Sequence, residues 1–250
     1  MPDDSLVLVA TLAIFLFAGF LKGIVGLGLP VLAIGLLSLL MPPAQAVALL
    51  TVPSMVTNLW QLAAGPHLAT LTRRLWALLL ASFLAALAGL ATGFLVADKS
   101  GYALAAVGAA LVLYGVLGLT PLHIKAPARS EVWLAPLIGA ATGLLASATG
   151  VLSIPSVPYL EALGLRRDEL VQALGLSFSV TTAALMIGLF RYGVLELSLA
   201  TLSLIALAPA LAGMAAGQWV RMRIHPQAFR VIFFLGLVAL GVHLLARTFA

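Results

Sequence analysis

Uncharged polar side chains follow one another along the apolar segment TVPSMVTNLWQ. Ser54, Thr57, Asn58 and Gln61 are spaced by three or four residues, so a helix presents them on one face. Pro53 lacks a backbone N–H and frees a carbonyl in the same segment. These groups offer hydrogen-bond donors with almost no fixed charge, which suits an oxyanion ligand. The structural alternative is that they bond neighbouring membrane helices to each other.

A second set of polar side chains lies in the second half of the chain, on GLLASATGVLSIPSVP and LSFSVTTAAL. Hydroxyl groups surround Gly150 and Pro155, where we expect a helix to break. Backbone N–H groups at the start of a broken helix, together with hydroxyls, can hold an oxyanion. The residues are Ser147, Thr149, Ser153, Ser156, Ser177, Ser179, Thr181 and Thr182.

Lys22 lies inside the apolar, glycine-rich stretch GFLKGIVGLGLP. A lysine within a membrane is costly, so it either reaches an interface or serves a site. Lys22 could neutralise an anion, or it could extend from a helix end to the membrane surface. Both readings remain open from the sequence. Glycines at this density break a helix or allow a close approach of another backbone or a ligand.

The composition indicates that these residues are surrounded by lipid. Hydrophobic residues make up 63% of the 250 residues and charged residues 8%, against roughly a quarter charged in globular domains. Apolar runs recur between short polar breaks, without the alternation typical of a barrel. We therefore predict an all-α polytopic membrane protein. Its net charge of +5 comes from residues at helix ends, so it does not indicate nucleic-acid binding.

Motifs of catalysis and metal binding are absent from the sequence. There is no cysteine, no HExxH, no cluster of acids within a span, no serine-nucleophile elbow and no phosphate loop. We predict a protein that is not an enzyme and holds neither a metal nor a cofactor. An intramembrane enzyme would need a paired acid, base or nucleophile, so it is the weaker alternative. The N-terminus lacks the basic region of a signal peptide, and we expect no cleavage.

The chain resembles itself after a shift of 124 residues. The shift places GFLKGIVGLGLP on GLLASATGVLSI and ALAGLATGFLV on ALAGMAAGQWV. The second pair carries Gly89 and Gly93 in one copy and Gly213 and Gly217 in the other, a spacing that suits close helix packing. Two such halves are typical of secondary transporters.

We predict two homologous halves, residues 1–124 and 125–250, in one integral membrane domain. Each half contains about five hydrophobic helices or half-helices. In the first half they are residues 5–21, 24–40, 44–64, 72–97 and 101–120. In the second half they are residues 132–147, 150–164, 169–190, 194–220 and 227–247. The first two elements of each half are short and could be re-entrant.

The distribution of Lys and Arg favours five crossings per half over four. With five, one side of the membrane collects Lys22, Arg73, Arg74, Lys125, Arg129, Arg166, Arg167, Arg221, Arg223 and Arg230. The other side collects only Lys99, Arg191 and Arg247. An odd number of crossings inverts the second half relative to the first. It also places both termini outside the cytoplasm.

The chain resembles the sulfite exporter TauE/SafE family of membrane permeases over nearly its whole length. The resemblance rests on FLKGIVGLGLPVL, QAVALLTVPSMVTNLWQL, GLLASATGVLSIPSVPYL, GLRRDEL and QALGLSFSVTTAAL. It implies transport of sulfur oxyanions or organosulfonates, such as sulfite or sulfoacetate, across the bacterial inner membrane. The second break departs from the glycine-denser pattern of the family, keeping only Gly150 in ASATG.

Matching the family's motifs extends the candidate substrate site. With Lys22 and the polar cluster, the candidates are Lys22, Gly23, Gly26, Gly28, Pro30, Thr57, Asn58, Gln61, Gly150, Ser153, Pro155, Gly175, Ser177 and Thr181. We expect alternating access between the two halves, with the site near the bilayer midplane. Proton coupling and oligomeric state stay open, since no acid within a span identifies a proton carrier. The alternative function is a non-transporting membrane partner of another complex.

Overall fold

The computed structural model describes residues 4–25, 29–63, 65–98, 101–120, 130–221, 223 and 226–249. The described residues form eleven α-helices, numbered in chain order. They are α1 (Asp4–Val25), α2 (Leu29–Leu37), α3 (Pro43–Ala63), α4 (Leu68–Ala91), α5 (Phe94–Ala97), α6 (Tyr102–Leu119), α7 (Glu131–Thr149), α8 (Ser156–Ala162), α9 (Arg167–Arg191), α10 (Leu197–Arg221) and α11 (Pro226–Phe249). Eight segments of this described structure are long and apolar enough to cross a membrane, which confirms the polytopic all-α prediction.

The first two elements of each half differ from their predicted bounds. The first helix continues to Val25 instead of ending at residue 21, so Lys22 lies in its last turn and not beyond it. The predicted element 24–40 overlaps the end of α1, and beyond the residues left undescribed its helix covers α2 alone; the predicted element 150–164 is helical over α8. A helix of nine residues is about 13 Å long, much shorter than the roughly 30 Å hydrocarbon layer.

The predicted helix 72–97 is interrupted at Gly93. This glycine has φ 73° and separates α4 from α5. A Cβ there would meet only the Ala97 side chain, at 3.8 Å. Gly93 therefore makes a turn, and the prediction that it packs two helices together was wrong.

The other three glycines predicted to pack helices together, Gly89, Gly213 and Gly217, do lie at close helix contacts. A Cβ at Gly213 or Gly217 would overlap the backbone of Leu16 or Phe20, so α1 and α10 are in backbone contact. A Cβ at Gly89 would overlap the Ser147 side chain, at the contact of α4 with α7. Glycine permits such approaches because it has no side chain to separate the helices.

The direction of each helix follows from these contacts. Along α1 and α10, Gly19 faces Ala210 and Gly23 faces Met214, so the two helices are parallel. The helices α4 and α7 are parallel for the same reason, whereas α3 and α9 are antiparallel, as are α6 and α11. We call the end of the bundle where α1, α3 and α10 finish the basic end. The other end is the opposite end.

The segments containing α2 and α8 run between the two ends. Helix α1 finishes at the basic end, whereas α3 begins at the opposite end. At the opposite end, Arg247 of α11 donates to the Leu39 carbonyl just after α2, at 3.0 Å. Helix α8 returns in the other direction, since Glu161 near its end lines a cavity with Arg221 of α10. Helices α1 and α3 therefore point the same way, and so do α7 and α9.

Some helix boundaries in the two predicted halves are separated by the 124-residue offset found in the sequence. Helix α3 begins at Pro43 and α9 at Arg167, 124 residues later. Helix α1 ends at Val25 and α7 at Thr149, again 124 residues apart. The packing of the helices shows the same correspondence. Helix α1 of the first half packs on α10 of the second, and α7 of the second half packs on α4 of the first.

Candidate functional site

Lys22 is the only charged side chain among the buried residues that the structure describes, with 3% of its surface exposed. Its ammonium donates to Asn58 Oδ1 at 2.6 Å and to Thr57 Oγ1 at 3.0 Å. Both partners are neutral, and no described carboxylate lies beside the lysine. Of the two readings open from the sequence, the structure shows an inward-pointing lysine and not one that reaches the surface.

Helix α3 orients the two acceptors of Lys22. The Thr57 hydroxyl donates to the Pro53 carbonyl at 2.7 Å, which leaves its lone pairs for the ammonium. Pro53 itself removes one backbone donor, so the Leu49 carbonyl loses its usual helical partner. The Ser203 hydroxyl of α10 donates to that carbonyl at 2.7 Å. The kink position of α3 is thereby bonded to the neighbouring helix.

Asn58 has a donor group left over. Its oxygen accepts from Lys22, which turns the amide nitrogen to the other side. Asn58 is fully buried, and its Nδ2 has no hydrogen-bond partner in the described structure. A buried amide nitrogen without an acceptor costs free energy until a ligand or a water supplies one. One turn earlier, the buried Ser54 hydroxyl also has no described hydrogen-bond partner.

Helix α9 approaches α3 at the Lys22 partners. A Cβ on Gly175 would lie 2.9 Å from the Asn58 carbonyl oxygen, tighter than ordinary contact. Two residues on, Ser177 is fully buried and its hydroxyl has no described partner. Thr181 donates to the Ser177 carbonyl at 3.0 Å and lies 3.5 Å from the Ser82 hydroxyl of α4. Gly175, Ser177 and Thr181, predicted as site residues, thus lie on the part of α9 that packs against α3 and α4; that they bind a substrate stays a prediction.

The break between α7 and α8 is buried against the first half. Gly150 has φ 71°, and a Cβ there would overlap side chains of Ile34 on α2 and Val47 on α3. Residues 151–154 are all buried. Irregular backbone at this depth is tolerated only where protein or a polar cavity surrounds it. The predicted site residues Gly150 and Ser153 lie in this break, and Pro155 begins α8 as its N-cap.

Hydrogen bonds at both ends of the break join it to α7 and α8. The Val151 N–H donates to Thr149 Oγ1 at 3.1 Å. The Ser156 hydroxyl donates to the Leu152 carbonyl at 2.8 Å, and the Val157 N–H donates to the Ser153 carbonyl at 3.0 Å. These bonds satisfy part of the buried backbone where the helix is interrupted.

The remaining predicted site residues have mixed positions. Gly23 faces the backbone of α10, which gives it a packing role. Pro30 is buried in the first turn of α2, and Gln61 is buried one turn beyond Asn58. Gly26 and Gly28 lie outside the described residues.

Two buried hydroxyl groups near the site were not singled out from the sequence. Ser82 contacts Thr181 across the halves. The Tyr114 hydroxyl faces Ser153 without a well-formed hydrogen bond. A lone serine or tyrosine in an apolar helix carries no local signal, because its partner is distant in sequence. Only the packing of α4 and α6 reveals them.

The family described as Sulfite exporter TauE/SafE matches residues 11–244. The chain belongs to the TauE/SafE family. No curated protein and no solved structure matches it. As a TauE/SafE protein with eight apolar helices that could span a bilayer, it is a multi-pass membrane transporter of sulfur compounds and belongs to a family of transporters, not enzymes.

Proposed function

We propose that this TauE/SafE protein moves a small sulfur oxyanion or organosulfonate, such as sulfite or sulfoacetate, across the bacterial inner membrane. The observation that carries the proposal is Lys22, a buried cation whose described partners are all neutral. Asn58 and Thr57 orient its ammonium without cancelling its charge. An anion bound there would supply the negative charge that the protein does not.

The neighbouring donors suit the oxygens of that anion. Asn58 Nδ2 and the hydroxyls of Ser54 and Ser177 are buried and lack described acceptors. Hydrogen bonds to a charged group contribute about 1.5–3 kcal/mol each, so a few of them suffice for selective binding. These groups come from both halves, as a site between moving halves requires.

The proposed mechanism is alternating access by two inverted repeats. Matching helix boundaries and exchanged helix pairs support an internal duplication, with repeats 1–124 and 125–250. Short helices α2 and α8 would carry the anion site while one half rocks against the other. The excess of arginine at the basic end supports its placement in the cytoplasm, with both termini periplasmic.

A thermal-shift and transport experiment tests the site. Purified wild-type protein should melt at a higher temperature with sulfite or sulfoacetate than with chloride, because the ligand binds the folded state. The variants Lys22→Met, Asn58→Ala and Ser177→Ala should fold but lose about tenfold or more in affinity, as expected for one lost charged hydrogen bond. Counterflow in proteoliposomes should fall in parallel.

Thr11→Val is the matched control. Thr11 is a fully buried α1 hydroxyl that also lacks a described partner, but it lies three turns before Lys22. Its removal should leave transport unchanged. Wild-type transport by the Lys22, Asn58 and Ser177 variants would reject the site. Failure of the wild-type protein to move any solute would favour the alternative of a non-transporting membrane partner.

A further inference from the structure

A cavity at the basic end lies at the junction of α8 and α9, beside the end of α1. Its volume is about 170 Å³. Three arginines and one carboxylate contribute to its wall, together with apolar side chains. The residues that matter here are Val25, Glu161, Arg167, Arg221, Arg230 and Phe234.

A second cavity occupies the corresponding place at the opposite end, at the junction of α2 and α3. Its volume is about 480 Å³. Among its described wall residues, Asp98 and Arg247 are the charged ones, so their charges cancel. The two cavities thus occupy equivalent positions in the two halves but differ in charge. Of these two cavities, the one at the basic end has an excess of positive charge among its described wall residues, and the other does not.

Two of the three arginines of the basic-end cavity, Arg167 and Arg221, lie close to each other. Arg221 is half-buried and lies within electrostatic range of Arg167 and of Asp168. Arg230 lies over the Phe234 ring, 5.6 Å from its centroid. Three guanidinium groups against Glu161 leave two positive charges in the wall, or one when Asp168 is included. Such a concave wall concentrates anions from solution.

This cavity borders the proposed substrate site by two routes. Val25 in its wall is one helical turn beyond Lys22. Phe234 packs edge-on against Tyr114, with ring centroids 5.4 Å apart. The Tyr114 hydroxyl in turn faces Ser153 in the break between α7 and α8. The cavity wall is therefore connected to Lys22 through the last turn of α1, and to the break through the contact of Phe234 with Tyr114.

We propose that the cavity at the basic end is a vestibule that binds the transported oxyanion before it reaches Lys22. This inference rests on the proposed function and adds a second, lower-affinity anion site to it. Arg221 and Arg230 attract the anion, while Glu161 keeps it from binding too tightly. The Phe234–Tyr114 pair forms the barrier between the vestibule and the deeper site.

Initial rates of sulfite transport in membrane vesicles of each orientation test the vestibule. At low salt, Arg221→Gln and Arg230→Gln should raise the KM measured from the basic end by roughly three- to tenfold, within the range of electrostatic focusing. Glu161→Gln should lower that KM. The KM measured from the opposite end should stay at the wild-type value. Added salt should shrink these differences, because it screens exposed charges.

Arg223→Gln is the control at the same end. Arg223 is exposed, stacks on Trp219 at 3.4 Å and does not contribute to the cavity wall. Its KM should match the wild type from either side. Equal effects of Arg223→Gln and Arg230→Gln would overturn the vestibule, as would a wild-type KM in both cavity variants. Neither result would contradict the proposed function. The proposed function fails only if the wild-type protein moves no sulfur anion or if the Lys22 variants transport normally.

A lipid headgroup offers the same anionic chemistry, so lipid composition separates the two ligands. Proteoliposomes of phosphatidylcholine alone contain no anionic headgroup. The KM effects of Arg221→Gln and Arg230→Gln should persist in them, because the ligand is the transported anion. Effects that appear only when phosphatidylglycerol is added would assign the arginines to lipid binding and overturn the proposal.

Discussion

Lys22 and Asn58 form a pair in which an amide replaces the carboxylate that usually accompanies a buried lysine. The amide oxygen orients the ammonium at 2.6 Å but does not neutralise it. Burying a charge is costly unless it is paired. The positive charge of Lys22 therefore remains available to a ligand. In the proposed site, the neutral side chain at residue 58 would leave the charge of Lys22 to attract an anion.

Asn58→Asp should abolish anion binding without unfolding the protein. The new carboxylate has nearly the same shape and would form an internal ion pair with Lys22 in a buried environment. The sulfite-dependent thermal shift should disappear, while the melting temperature of the free protein stays equal or rises. Thr57→Val, which removes the other Lys22 acceptor without adding charge, should keep part of that shift. A wild-type shift in Asn58→Asp would show that the anion does not use Lys22.

At the scale of elements, the glycine contacts set how close Lys22 comes to α3. Gly19 and Gly23 of α1 face the backbone of α10 around Gly213 and Gly217. The same α10 donates Ser203 to the kink in α3. Helices α1 and α3 are thus both held by α10, and the distance between Lys22 and Asn58 depends on that packing.

Gly217→Ala should destabilise the protein and weaken transport together. A Cβ there would overlap the Phe20 backbone, so α1 must shift. Overpacking of this kind costs about 1–3 kcal/mol. The melting temperature in detergent and the rate of sulfite counterflow should both fall.

Gly236→Ala is the matched control for that substitution. Gly236 lies within α11, and a Cβ there would meet nothing within 4 Å. Both measurements should stay at wild-type values or rise slightly, since alanine favours a helix. If Gly217→Ala were as well tolerated as Gly236→Ala, close packing of α1 on α10 would not be what positions the lysine.

At the scale of the molecule, the arginine-rich end and the opposite end should face different compartments. The chain contains no cysteine, so single cysteines can be labelled in an otherwise unchanged protein. Arg223→Cys lies at the basic end, and Leu197→Cys at the opposite end, where Leu197 is 84% exposed. A membrane-impermeant maleimide added to intact spheroplasts should label Leu197→Cys only. Labelling of Arg223→Cys alone would reverse the proposed orientation.

The amino-acid sequence alone indicated that lipid surrounds the chain, that the protein is an all-α membrane protein, and which side chains are candidates for binding an anion. The prediction of membrane helices rests on the average hydrophobicity of long segments, so it does not depend on any single contact. Helical spacing grouped Thr57 with Asn58, because neighbours along a helix follow from local geometry. The family match likewise rests on local motifs. The 124-residue offset between the proposed halves also came from the sequence, and the helix starts at Pro43 and Arg167 agree with it.

Only the tertiary structure decided what those residues face. Lys22 could reach a surface or point inward until α3 and α10 were placed around it. Ser82, Tyr114 and the cavity arginines are separated by many residues from the groups they face, so no sequence window contains both partners. The sequence predicted that the elements containing α2 and α8 are short, but only the structure shows that residues 151–154 before α8 are buried. Contacts between distant segments depend on packing, and packing is a property of the whole chain.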